Sequence, residues 1–347
     1  MLAMYRNPVQ TSERRVVYLD LNHWYMLGEA RAGHPRQPDH VDVLRALSEH
    51  VEQGRLMFPL SAVHYIELAE NPRDHQREEA ANVMTVLSRF NTMTSLAKII
   101  DEELAYALNR RFGRPAFPVK VKKLGYGANF ALTGEEKGFS LTGGSEEDRR
   151  KLEAKLGRSV TQWTAEVNSF AEYELLKQPS ASLRSQIPGY DPYAARRIAD
   201  EELESFNVLV DTVHANPDIV SRPLDAISAR QFLFEFLDNY TKALLSAGFT
   251  VNRTPFRTSG QLTEFLMSLP SRRVATMLQF HYLKDASKHW KINDLRDNTA
   301  LSEAIPYCDM VVTDSEVWNV AVNRAHLDQE FGTPIFRRLT DLAAYVS

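Results

Sequence analysis

Apolar runs short enough to be buried strands occur at the two ends of this chain and hardly at all in the roughly two hundred residues between them. Val16-Val17-Tyr18-Leu19-Asp20-Leu21 is β-branched and continuously apolar up to its aspartate, the pattern of a strand buried in a parallel sheet. A helix is expected over 22–32, then a Gly/Pro/His loop. A second helix over 39–53 carries Val43, Leu44 and Leu47 at helical spacing and stops at Gly54. Leu56-Met57-Phe58-Pro59-Leu60 reads as the next strand, and Ser61 is placed to cap a helix that ends near Asn71-Pro72. The C-terminus repeats this grammar, with a helix over 297–305, a strand over 309–313, a helix over 315–330, a strand over 334–339 and a short terminal helix. Strands alternating with helices in this way require parallel pairing through crossover connections. The fold class is therefore α/β with a parallel central sheet, split by a large, mostly α-helical insertion.

Within that insertion, helices are expected near 74–90, 101–111, 147–178, 192–214, 224–247 and 261–290, and Thr94–Ile100 is a candidate third strand. The stretch 125–145 is rich in Gly, Thr and Ser and reads as a mobile loop. Trp163, Phe170 and Tyr173 fall at helical spacing and are expected in the core. The organisation is thus a discontinuous α/β core over 12–70 and 290–347, and an insertion or cap over 71–289, part of which completes the core.

Composition narrows the functional classes. The chain has 347 residues and a formal net charge of −4, so contact with a polyanion must come from a local basic patch. One cysteine, Cys308, excludes an internal disulfide framework and a cysteine-rich zinc site, and it is expected to be a core thiol. No signal-like segment and no stretch of about 20 apolar residues is present, so a soluble, cytoplasmic protein without membrane contact is expected. Walker A, GxGxxG and GxSxG motifs are absent. His64 has no second histidine to complete a zinc site and is expected to pack or to support a neighbour.

Acidic residues mark the strand ends instead. Asp20 closes the first strand, at the edge of a parallel sheet where ligands bind, and its bland role is a helix N-cap. Glu67, on the helix opened by Ser61, shares the face of Val63 and Ile66 and needs either a salt-bridge partner or a metal ion. Asp297 lines up with Leu301 and Ala304, Asp294 lies one turn earlier, and Asp314 ends the run Met310-Val311-Val312-Thr313, where it too can cap a helix. Carboxylates converging on one sheet edge repel, and divalent cations with oxygen ligands are the usual remedy.

The segments VVYLDLNHW (16–24), FPLSAVHYIELAE (58–70), INDLRDNTALSEAIPYCDMVVTD (292–314) and TPIFRRL (333–339) resemble the PIN-domain nuclease superfamily. That family's pattern is an apolar strand ending in Asp, a small hydroxyl residue six before a helical Glu, and a helix-opening Asp before a strand ending in Thr-Asp. Asp20, Glu67, Asp297 and Asp314 match those positions, and the resemblance spans about 12–70 and 290–340. It implies a PIN-like three-layer fold and metal-dependent phosphodiester hydrolysis, with one or two Mg²⁺ or Mn²⁺ ions held by Asp20, Glu67, Asp297 and Asp314. Asp294 competes with Asp297, although Asp297, seventeen residues before Asp314, suits the family spacing better. Glu316 is the alternative to Asp314, because the family often carries its last acid two after the Thr, where Ser315 stands here. Asn22, Thr313 and Ser61 are candidates for supporting hydrogen bonds.

A nucleic-acid substrate, RNA rather than DNA by family analogy, needs cations. Arg110, Arg111, Arg114, Lys120, Lys122 and Lys123 form an acid-free run with Phe112, Phe117 and Tyr126 interleaved. A solvated basic loop is its equally weighted alternative, and Arg272-Arg273 reads as an ordinary helix start. A homo-oligomer or a regulatory protein partner fits the long insertion. Two rival functions remain: a catalytically inactive scaffold of the same fold that binds nucleic acid or protein, and a HAD-like phosphatase, which Asp20-Leu21-Asn22 fits poorly for want of a second Asp.

Overall fold

The computed structural model describes residues 14–114, 123–216, 221–246, 248, 256–284 and 290–347. Its strands are β1 (Arg15–Leu19), β2 (Leu56–Met57), β3 (Asn91–Met93), β4 (Leu124–Tyr126), β5 (Met310–Val312) and β6 (Ile335–Phe336). Helices in the first third are α1 (Leu21–Arg31), α2 (Asp39–Glu52), α3 (Ala62–Glu70), α4 (Asp74–Ser88) and α5 (Leu96–Arg111). The middle contains α6 (Gly127–Thr133), α7 (Glu146–Leu156), α8 (Val160–Lys177), α9 (Ala181–Arg184), α10 (Ala194–Ala215), α11 (Pro223–Arg230), α12 (Leu237–Ser246), α13 (Ser259–Met267) and α14 (Pro270–Leu283). The chain closes with α15 (Ile292–Tyr307), α16 (Ser315–Trp318), α17 (Leu327–Phe331) and α18 (Leu339–Val346).

Four strands pair in parallel in the order β2-β1-β5-β6. A parallel bridge between Leu60 and Thr92 attaches β3, to which β4 pairs antiparallel. Alternation along β1 explains why the sheet is covered twice. Val17 and Leu19 point into a cluster with Met310, Val312, Trp24, Leu27, Leu47, Met84 and Leu342, contributed by β5, α1, α2, α4 and α18. Val16 and Tyr18 point the other way, with Val311, Ile335, Leu278, Leu301, Ala304 and Val320. Helices therefore lie on both faces, which is why β1 reads as a continuous apolar run. Cys308 is buried in the second cluster, as expected of a core thiol. No helix among the described residues is long and apolar enough to cross a membrane.

Several expectations for the middle change. Thr94–Ile100 is not a strand: β3 ends at Met93, Ser95 takes the N-cap position, and Ile99, Ile100, Leu104, Ala107 and Leu108 bury one face of α5. That helical stripe, completed only further along the chain, overrides the local β-branched run. Residues 125–145 are not all loop, since β4 and α6 occupy 124–133; a side chain at Gly125 would collide with the Phe130 ring, and Gly127 turns at φ +83°. The long helix expected over 147–178 breaks at Gly157, which has φ +66°. Trp163 and Phe170 are not core, whereas Tyr173 is half-buried and packs against the core cluster. Phe170 is 66% exposed, Trp163 meets Phe139 edge-on near the surface, and only Glu172 and Leu176 of α8 are buried. The helix expected over 224–247 contains a π-helical turn at Gln231–Phe236, and that expected over 315–330 contains one at Asn319–Arg324 and then breaks at His326 (φ +53°) before α17.

Candidate active site

The strand order creates one crevice that chemistry can use. From β1 the chain enters α1, whose Trp24 and Leu27 lie on one face of the sheet, and β2 forms on that side of β1. From β5 it enters α16, whose Val317 lies on the opposite face, and β6 forms on the far side. The connections thus diverge between β1 and β5, and ligands in open α/β sheets bind outside the carboxyl ends of the strands at such a switch point. Asp20 and Asp314 sit there. Leu19 pairs with Val312, the Asp20 N–H donates to the Val312 carbonyl (3.0 Å), and the Thr313 N–H donates to the Phe336 carbonyl (3.0 Å). The strand ends that carry both carboxylates are therefore held in register.

The two aspartates differ in what occupies them. Asp314 caps α16, its Oδ1 accepting from the Val317 N–H at 2.9 Å, so the bland role applies to it. Asp20 stands at the N-cap of α1 but makes no side-chain capping hydrogen bond. Glu67 is placed by its helix. The buried His64 Nδ1 accepts from the Ser61 N–H (2.9 Å), which leaves Nε2–H to donate to the Leu19 carbonyl (2.8 Å). That ring bolts the first turn of α3 to the end of β1 and sets Glu67, one turn on, beside Asp20. Burial holds His64 neutral, with its pKa pushed down to about 4. Ser61 thus serves the architecture of α3, as does the buried Thr313 for β5.

Asp294 is engaged at the start of its own helix, where its Oδ2 accepts from the Lys291 N–H (2.8 Å). The side chain of Asp297, one turn later, has no hydrogen bond or ion pair among the described residues. Glu316 is exposed, and so is Asn22, whose Oδ1 accepts from Arg36 (3.1 Å).

Electrostatics ties four carboxylates together. Asp20 is raised to about 6, chiefly by desolvation and then by the charge of Asp314, against the Leu21 and Asn22 amides, which lower it. Glu67 is raised to about 8 by desolvation and by Asp20 and Glu70, against Arg296, which lowers it. Asp297 is pushed well above the usual range by desolvation and by Asp20, Asp314, Glu67 and Asp294. Each of these side chains is half-buried, so the group is desolvated yet open to a ligand. Hard oxygen donors under mutual repulsion suit Mg²⁺ or Mn²⁺ in donor chemistry. The cage is open, however: among the described residues no three His, Cys, Asp or Glu side chains stand close enough to hold one ion together.

The basic run lies elsewhere. Along α5 the Leu96 amide donates to Glu303, and seven residues later Glu103 accepts from the Tyr307 hydroxyl (2.5 Å). The helix therefore runs beside α15 away from Asp297, and Arg110 is a further ~10 Å on at about 1.5 Å per residue. Arg110, Arg111 and Arg114 are exposed at that remote end. Lys123 is paired with Glu102 and lies 4.5 Å over the Tyr307 ring, while Lys120, Lys122 and Phe117 are outside the described residues. Arg272 is buried against Glu235 in the first turn of α14, an ordinary helix start. Cations at the carboxylate edge come from positions the sequence did not single out. Arg337 follows β6, is exposed, and stacks 5.4 Å over Trp318 without an ion-pair partner among the described residues. Arg296 lies between Glu67 and Glu70. The TPIFRRL segment held the signal for Arg337, and the residue before Asp297 held that for Arg296. No family model, curated protein or solved structure matches the chain.

Proposed function

We propose that this chain is a divalent-metal-dependent nuclease of PIN-like architecture that hydrolyses phosphodiester bonds, with RNA favoured over DNA on the strength of the sequence resemblance alone. The observation that carries the reading is Asp20 at the switch point. Its carboxylate makes no capping hydrogen bond, although the Leu21 and Asn22 amides lie near enough to lower its pKa, and it is drawn into mutual repulsion with Asp297, Asp314 and Glu67. Asp314 caps a helix and Glu67 faces Arg296, but no cation among the described residues offsets the desolvation of Asp20 and Asp297, and each desolvated charge costs stability unless something cationic arrives. Asp20 and Asp297 would be the main ligands, with Glu67 beside them and Asp314 contributing what its cap leaves free. When bound, the cation would neutralise developing charge and make a coordinated water more acidic. The chain's own part is to fix the strand ends, partly desolvate the carboxylates, and present Arg296 and Arg337 to the incoming phosphates.

The open ligand cage favours a second reading, an inert scaffold of the same fold. One assay separates them. Purified protein is incubated with labelled single-stranded RNA and DNA in Mn²⁺, Mg²⁺ or EDTA, beside Asp20→Asn. Metal-dependent cleavage lost in the variant is expected, with a fall of at least about 10²-fold, the scale of removing one electrostatic element. Failure of wild type to cut either strand in any metal would leave the scaffold.

A further inference from the structure

Arg296 is the cation nearest the carboxylates, and its two edges are not equivalent. Nη2 binds Glu70 Oε1, whereas Nη1 stands 3.8 Å from Glu67 Oε1, within ion-pair range but beyond a hydrogen bond. Glu70 is itself buried, and Arg196 of α10 approaches its other oxygen at 3.9 Å. Glu70 therefore anchors one edge of the guanidinium and leaves the other facing the site, directly before Asp297 on α15. A planar guanidinium with five donors can satisfy an anchoring carboxylate and a phosphate oxygen at once, which an ammonium point charge cannot do with the same fixed geometry. An acidic crevice repels a phosphodiester, so a donor pre-aimed within it has the most to contribute as charge develops on the phosphate oxygens.

We infer that Arg296 is a catalytic residue that grips a non-bridging oxygen of a substrate phosphodiester, and that Glu70 is the positioning residue that aims it. This rests on the nuclease reading for the identity of the ligand. The alternative is that Arg296 only neutralises Glu67 and Glu70, a role any cation fills.

The test uses the full chain and a fluorescein-labelled single-stranded RNA oligonucleotide. Wild type, Arg296→Lys, Arg296→Gln and Glu70→Gln are compared for oligonucleotide binding by anisotropy, cleavage in Mn²⁺, Mn²⁺ binding by electron paramagnetic resonance, and thermal unfolding. The grip requires Arg296→Lys, although still charged and folded, to lose at least about tenfold in binding and about 10²-fold in kcat, with Arg296→Gln no better. Glu70→Gln is expected to raise KM more than it lowers kcat, and Mn²⁺ affinity should hold or tighten in both Arg296 variants. An Arg296→Lys protein that binds and cuts like wild type overturns the inference, as does a wild type that binds no oligonucleotide. Binding without cutting, weakened tenfold in Arg296→Lys, refutes the nuclease reading and leaves the grip standing.

Discussion

Asp20 and Asp314 hold equivalent places at the starts of two helices, yet only Asp314 makes a side-chain capping hydrogen bond, and this difference can be measured. Asp314→Ala removes the hydrogen bond to the Val317 amide and should cost about 1 kcal/mol, the usual worth of an N-cap. Asp20→Asn removes a repelled charge and keeps an acceptor oxygen for the Leu21 and Asn22 amides, so its stability should equal or exceed that of wild type. Urea unfolding of the two variants checks this, and a loss in Asp20→Asn as large as in Asp314→Ala would make Asp20 a structural cap. Glu303 offers a second single-residue test, away from the crevice. It is buried, one carboxylate oxygen has no partner, and desolvation raises it to about 8 despite the Leu96 amide. From the ordinary value of 4.5 up to about 8, the folded protein holds a proton that the unfolded chain has released. Stability from this group is therefore full at low pH and falls as pH rises through that window, levelling off above it. Glu303→Gln lacks the slope. The variant should gain on wild type steadily between pH 5 and 8 in urea titrations, and parallel curves would show that Glu303 ionises normally.

At the scale of elements, the position of Asp20 depends on how closely α1 lies on α4. Gly28 makes that possible: a Cβ there would stand 2.9 Å from the backbone carbonyl of Glu79, which cannot swing aside as a side chain would. Gly28→Ala should destabilise by about 1–3 kcal/mol, the range for an overpacked contact, and should lower cleavage more than stability alone explains, because α1 begins at Asp20. A melting temperature within a degree of wild type would mean that the helices part without strain. The same elements show what was legible. β1 was readable because burial on both faces leaves a continuous apolar run, and its terminal Asp follows from the chain alone. The other carboxylate positions were readable from spacing along the sequence. The hidden features all depend on tertiary context. The first turn of α5 looked locally like a strand, because the cluster of Tyr240, Phe265 and Leu266 that receives the helix's face lies more than a hundred residues away. The basic run read equally as a substrate track and as a solvated loop, because nothing local tells which way α5 points. His64 and Arg296 are ordinary letters until α3 and α15 bring them to Leu19 and Glu70.

For the molecule as a whole, the question is how a helical middle of this length stays registered to the sheet. The chain concentrates much of that duty in Arg77 of α4, which is 1% exposed. Its guanidinium donates to the carbonyls of Lys177 (3.0 Å) and Pro179 (3.0 Å) where α8 ends, to the Asn71 carbonyl (2.6 Å) where α3 ends, and to Asp74 (2.5 Å). Carbonyls at a helix C-terminus have no partner within the helix, so one buried side chain closes two helices at once and ties α8 to α3 and α4. Arg77→Ala strands those carbonyls away from water and should cost about 3–5 kcal/mol, the scale of breaking a buried charged network. The damage should be uneven. Only the C-terminal end of α8 reaches the core, through Glu172 and Leu176, while α7 buries nothing, so this region should open before the sheet does. Amide exchange in the variant should accelerate across 157–193 and stay slow in β1 and β5. Arg77→Lys should recover only part of the protection, because three donors on a flexible stem cannot reproduce the fixed fork. Uniform acceleration through β1 and β5 would instead mean that insertion and sheet unfold as one unit, with Arg77 an internal strut of that unit.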